Sequence, residues 1–170
     1  LFPDLGRAMA FDRRVYPTIF PAENDPAVFG NQLVMDSADT VVGTEPALLI
    51  GASSISVTDA PRLAAEYGGV CFPAHIDRPS YSILSVLGDI PPECGFAAYE
   101  LSRRADGDAL RAKHGILGGM TCLVDSDAHS LGDIGAAGGE LACAADIGAI
   151  FSLLRGRRVA VDRRFAEPQS

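Results

Sequence analysis

Apolar residues recur at two different periods along this chain, and the change of period marks out its elements. Leu5, Met9, Ala10, Phe11 and Val15 lie at helical spacing, with Asp4 beside the first turn as a cap and Pro17 as a stop. Residues 21–26 read as loop, bounded by two prolines. Residues 31–36 and 40–43 flank Ser37-Ala-Asp39 and predict a small β-hairpin. A lone hairpin is marginal in water, so this one is expected to lie on something larger. Residues 47–50 are apolar and ambiguous between helix and strand.

From residue 56 the pattern alternates. Helices are expected over 56–67, 80–87, 106–114 and 144–154, closed by Gly68-Gly69, Gly88, Gly115 and Gly156 respectively. Short apolar strands are expected between and after them, over 70–74, 96–101, 120–124 and 157–161. Helix alternating with apolar strand is the signature of an α/β fold with a parallel sheet or part of a barrel. No internal repeat or low-complexity segment interrupts it. The one compositional break, at 43–51, reads as a seam inside a single domain of residues 1–170. It separates a helix-plus-hairpin portion (1–50) from the βα repeats (51–165).

Composition narrows the picture further. A chain of 170 residues is long enough for one domain with a real core. The net charge of −8 argues against duplex nucleic acid or an anionic membrane surface as main partner, but not against a small anionic ligand held by a local cation. No apolar run approaches the ~20 residues of a membrane span, and no secretion signal opens the chain. Cys71, Cys94, Cys122 and Cys143 are widely spaced with no C-x-x-C pair, which favours reduced structural thiols in a cytoplasmic protein over a zinc ribbon. The chain starts at Leu1 without Met, in what looks like the tail of an apolar run, so a preceding part is expected.

The chemistry concentrates where strands are expected to end. Strand 120–124 leads into Asp127-Ala128-His129, and in extended backbone residues i and i+2 face the same side. A carboxylate and an imidazole converging there form half of a divalent-metal site. His75 ends strand 70–74 and would share that rim, so His75, Asp127 and His129 are the candidate metal ligands. Asp125 has the same parity and is a candidate supporting residue. His114, just before Gly115, reads instead as a solvent-facing residue on the helix dipole. Arg78 presents a planar fork suited to phosphate, with Ser80 and Ser82 as hydroxyl donors. The bland alternative is that Asp77 pairs with Arg78 while Ser80 caps the next helix. Glu100 either orients a ligand from behind or pairs with Arg103. Asp133 is expected to cap a turn, and Arg155, Arg157, Arg158, Arg163 and Arg164 to form a solvated face.

Pro73-Ala-His-Ile-Asp-Arg78, Tyr99-Glu-Leu-Ser102 and Ser126-Asp-Ala-His129 resemble, in order and spacing, C-terminal motifs of the PHP (polymerase and histidinol phosphatase) family, and most closely its stand-alone phosphoesterases. The resemblance extends over roughly residues 1–135. It implies a distorted (β/α)7 TIM-like barrel with two or three divalent ions (Zn, Mn or Fe) at its rim. It implies His75, Asp127 and His129 as metal ligands and Arg78 as the phosphate holder. The family's N-terminal H-x-H motif, its Asp-His pair and its further Glu and His do not occur in this chain, which therefore resembles the C-terminal two-thirds of such a domain.

The function expected is hydrolysis of small phosphate esters by a metal-bound hydroxide, whose parent water has its pKa lowered toward about 7. Arg78, Asp127 and His129 are the candidate catalytic residues, Arg78 and Ser80 the substrate-binding ones, and Glu100 and Asp125 the supporting ones. The alternatives are a non-catalytic or regulatory module with an incomplete metal site, and a hydrolase acting on another bond such as an amide. A barrel lacking its first strands would expose sheet edges. A second copy or a separate N-terminal segment is then expected to cover them.

Overall fold

A computed structural model describes residues 1–136 and 138–156, together with the strand Asp162–Arg164. The strand expected over 157–161, and Arg157 and Arg158 with it, lie outside the described residues, as do the side chains of Arg163 and Arg164. The chain divides into two compact units, Met9–Ser56 and Leu1–Ala8 with Val57–Ser170. The boundary near residue 56 falls a few residues beyond the seam expected at 43–51.

Helix α1 (Leu5–Val15) crosses the first boundary. Asp4 Oδ1 accepts from Arg7 N at 2.8 Å and caps it, and a 3-10 turn at Tyr16–Thr18, entered through Pro17, ends it. In the smaller unit, helix α2 (Pro26–Phe29) is a single turn capped by Asp25. Strands β1 (Leu33–Met35) and β2 (Val41–Thr44) form the expected antiparallel hairpin. Asp36 closes it by accepting from Ala38 N and Thr40 N at 2.8 and 3.0 Å.

No described residue of this unit is buried, and Leu33, Val34, Met35, Val41 and Val42 are each about half exposed. Polar ties stand in for a core. Gln32 Nε2 donates to the carbonyls of Glu45 and Ala47, its Oε1 accepts from Leu49 N, and Tyr16 donates to Glu45 at 2.6 Å.

The larger unit holds the βα succession. Helix α3 (Ala60–Glu66) starts later than residue 56 because Pro61 sits in its first turn, where a missing N–H costs nothing. Gly68 (φ +72°) ends this stretch in a left-handed conformation that glycine adopts without strain.

The strand expected over 70–74 is extended but irregular. Leu1 and Val70 exchange two backbone bonds of 2.9 Å. Further on, Glu100 N donates to Pro73 O and Ile76 N to Glu100 O, both at 3.0 Å. Pro73 has no N–H to continue a ladder, and His75 takes up a left-handed φ of +31°.

Helix α4 (Ile83–Leu87) is capped by Ser82, whose Oγ accepts from Ser85 N at 3.1 Å, and not by Ser80, which is exposed. Strand β3 (Ala98–Ser102), helix α5 (Gly107–Lys113) and strand β4 (Thr121–Asp125) follow. β3 and β4 are parallel, in register from Ala98↔Thr121 to Ser102↔Asp125. Strand β5 (Gly138–Glu140), helix α6 (Ile147–Arg155) and strand β6 (Asp162–Arg164) complete the described elements, β5 pairing antiparallel with β6. The Gly-Gly-Glu of β5 carries no apolar signal, so the sequence did not announce it.

Both faces of the β3–β4 pair are covered, which is why its strands read as continuous apolar runs. Tyr99, Leu101 and Val124 pack with Ile76, Ile90 and Leu117 on one face. Ala98 and Leu123 pack with Val70, Phe151 and Leu154 on the other.

One expectation is corrected here. His114 is buried, with Nδ1 3.1 Å from Asp89 Oδ1. Arg155 is exposed as expected, and it also donates to Gly68 O at 2.7 Å and lies 5.2 Å above the Phe151 ring. No disulfide joins any of the four cysteines. The described residues are mixed α/β, with three two-stranded sheets and no closed barrel among them. No described helix is long and apolar enough to cross a membrane.

Candidate functional site

The register of the parallel pair builds the rim. On the α6-facing side the alternation runs Ala98, Glu100, Ser102 on β3 and Thr121, Leu123, Asp125 on β4. Ala98 and Leu123 face the core there, and the C-terminal end carries Ser102 and Asp125. The 73–76 segment brackets Glu100 through its two backbone bonds, which brings His75 beside it. Asp77 then ties this segment to the end of β3: Oδ1 accepts from Ser102 N at 2.7 Å and Oδ2 from Ser102 Oγ. With Asp77 engaged, Arg78 is released to pair elsewhere. Its Nη2 meets Asp127 Oδ2 as an ion pair lacking hydrogen-bond alignment. The other oxygen, Asp127 Oδ1, lies 3.4 Å from His129 Nε2.

Asp127 and His129 therefore meet, though not by strand parity. β4 ends at Asp125, and Asp127 has φ +46°, so the chain has left the extended form before either residue. Asp127 is mostly buried, with a side-chain exposure of 21%, whereas His129 is 80% exposed. Ser80 is exposed and makes no described contact with these groups, and Asp125 closes β4 opposite Ser102. No described ion pair joins Glu100 to Arg103 or Asp77 to Arg78. Asp133 does cap its turn, accepting from Ser130 N and Oγ at 3.1 and 2.8 Å. Asp77 is the residue sequence reasoning undervalued: only the pairing of 73–76 with β3 shows what its carboxylate reaches.

The rim is electrostatically acidic. Burial pushes the Glu100 carboxyl above its ordinary range, the charges of Asp125 and Asp127 push it further, and His75 opposes them. The folded state thus holds this proton more tightly than the unfolded chain. The stabilisation is present at low pH and is lost as pH rises through the raised value. Glu100→Gln removes that loss. The variant is expected to have the higher Tm at pH 7 and to converge with the native protein near about pH 4, the ordinary glutamate range. Thermal unfolding across this range checks it; a Tm difference independent of pH would refute it.

Two buried side-chain atoms of the rim have no hydrogen-bond partner, His75 Nδ1 and Asp127 Oδ2. An imidazole nitrogen and a carboxylate oxygen are donors that zinc, manganese and iron accept, so the donor chemistry fits a divalent cation. The enclosure is incomplete: among the described residues no three of His, Cys, Asp and Glu gather closely enough to hold one.

In comparison with known proteins, no family model matches the chain, and no curated protein or solved structure is significantly similar to it.

Proposed function

We propose that this rim hydrolyses small phosphate esters with the help of a divalent metal, and that the β3–β4 pair and the 70–76 segment are staves of a distorted (β/α)7 barrel. The observation that carries the reading is the buried, unpartnered His75 Nδ1 on a rim where Asp127 meets both Arg78 and His129. Such a nitrogen is costly to bury unless something binds it. A metal would draw on His75, Asp127 and His129, which as placed do not gather closely enough to hold it alone, so water, substrate oxygens or further ligands would have to complete its shell. Its chemistry there is to bring a water's pKa toward about 7.

The chain's own residues do the rest. Arg78 is nearly half exposed and spends one edge of its guanidinium on Asp127, so further N–H donors remain for the equatorial oxygens of a phosphoryl group. Asp77 positions Arg78 by anchoring the turn that precedes it to Ser102.

The test is phosphate release from an aryl phosphate with Mn²⁺ or Zn²⁺, comparing the native chain with His129→Ala, alongside bound metal measured by mass spectrometry. A loss of about 10²-fold or more, with less metal retained, is expected. Equal rates and equal metal content would exclude the assignment. Less than about a tenth of an equivalent of metal in the native chain would favour a non-catalytic module.

A further inference from the structure

His75 belongs to two surroundings at once. One is the acidic rim. The other is an apolar groove of about 430 Å³ that His75 lines together with Phe72, Tyr81, Ile83, Val86 and Phe96. No residue lining it is formally charged at neutral pH apart from what His75 carries when protonated. The volume lies in the range of small-molecule sites, which are typically apolar with a few polar groups at one end.

The same loop connects the two surroundings. Arg78 stands at the rim, and three residues later Tyr81 stands at the groove, within about 10 Å of chain. Ser82 Oγ donates to Arg78 O at 2.7 Å, which fixes the groove wall to the backbone that carries the guanidinium. Tyr81 is held at φ +55°, unusual for an aromatic residue, and its side chain is four-fifths exposed, as is most of Val86. Two large side chains, Tyr81 and Val86, thus stand largely in water at a groove whose wall is tied through Ser82 to the backbone of Arg78.

We propose that the groove receives the apolar organic half of a phosphate ester whose phosphoryl group lies at Arg78, so that the substrates are aryl or alkyl phosphates and not sugar or nucleotide phosphates. This rests on the phosphoesterase reading of the rim and adds the substrate class to it. A sugar would set several hydroxyls against Phe72, Ile83, Val86 and Phe96, which offer no side-chain hydrogen-bond partners. An aromatic ring would instead bury apolar area there and stack on Tyr81.

The test uses three probes on the full chain, titrated by calorimetry: methylphosphonate, 1-naphthylmethylphosphonate, which cannot be hydrolysed, and 1-naphthol. The native chain is compared with Arg78→Ala and with Val86→Gln/Leu87→Gln. The latter two substitutions are neutral, lie at exposed positions of α4 and keep its helix propensity. The naphthyl phosphonate is expected to bind at least tenfold more tightly than methylphosphonate, a factor that burying about 60 Å² of apolar surface supplies.

That advantage is expected to vanish in Val86→Gln/Leu87→Gln, whose fold is checked by circular dichroism. Equal affinity of the two phosphonates in the native chain would overturn the groove while leaving the rim standing, provided that methylphosphonate binding depends on Arg78. If naphthol binds in a groove-dependent way but neither phosphonate does, the rim reading fails and the ester proposal falls with it.

Discussion

Arg78→Ala is expected to lower kcat/KM for an aryl phosphate by about 10²–10³-fold, the usual consequence of removing one donor aimed at developing transition-state charge. The physical basis is the position of Arg78. Asp77, the residue with which it would most simply pair, is committed to Ser102, so the guanidinium projects to Asp127 at the rim. Arg78→Lys keeps the charge but loses the planar fork, and an intermediate loss is expected. Asp127→Asn separates two roles. It frees the guanidinium for phosphate while removing the carboxylate proposed to bind metal, so kcat is expected to fall while the affinity for inorganic phosphate holds or rises. Steady-state kinetics with phosphate as a competitive inhibitor measures both. An Arg78→Ala enzyme with native kcat/KM would remove arginine from the mechanism.

Leu101→Ala is expected to destabilise the larger unit by about 2–5 kcal/mol. Leu101 is fully buried in the cluster of Ile76, Ile90, Tyr99, Leu117 and Val124. It lies beside Val124 across the parallel pair, so truncation leaves a cavity between a strand and the elements covering it. Leu131→Ala is the control: its side chain is 89% exposed, and a change within about 0.5 kcal/mol is expected. Urea unfolding followed by circular dichroism measures both. A Leu101→Ala midpoint equal to that of Leu131→Ala would mean that this cluster is not the stabilising core. The effect should also reach the rim, because Leu101 sits between Glu100 and Ser102.

Local chemistry was legible where a residue acts on its own neighbours. Asp4 and Asp133 cap the turns their positions suggested. Gly88 takes the left-handed conformation that ends α4. The hairpin and the parallel β3–β4 pair stand within two residues of where hydrophobic period alone put them. The errors share a cause, which is dependence on a distant partner. Whether Ser80 or Ser82 caps α4 turns on where the loop from Arg78 enters, and Ser82 is the one that reaches back to Arg78 O. His114 reads as a surface residue on its helix and is instead buried, meeting Asp89 from 25 residues earlier in the chain.

For the candidate site the division is the same. The sequence alone determined which groups are present near strand ends: His75, Asp77, Arg78, Glu100, Asp125, Asp127 and His129. Short-range periodicity encodes element type and chain polarity, and these put such groups at C-terminal ends. Only the tertiary structure decided which of them meet. Asp77 went to Ser102, Arg78 to Asp127, and His75 to the side of Glu100 with an apolar groove at its back. Those pairings depend on the register between the 73–76 segment and β3. Backbone bonds to Glu100, the end of the ladder at Pro73 and the left-handed turn at His75 set that register, and no spacing within a single segment records it.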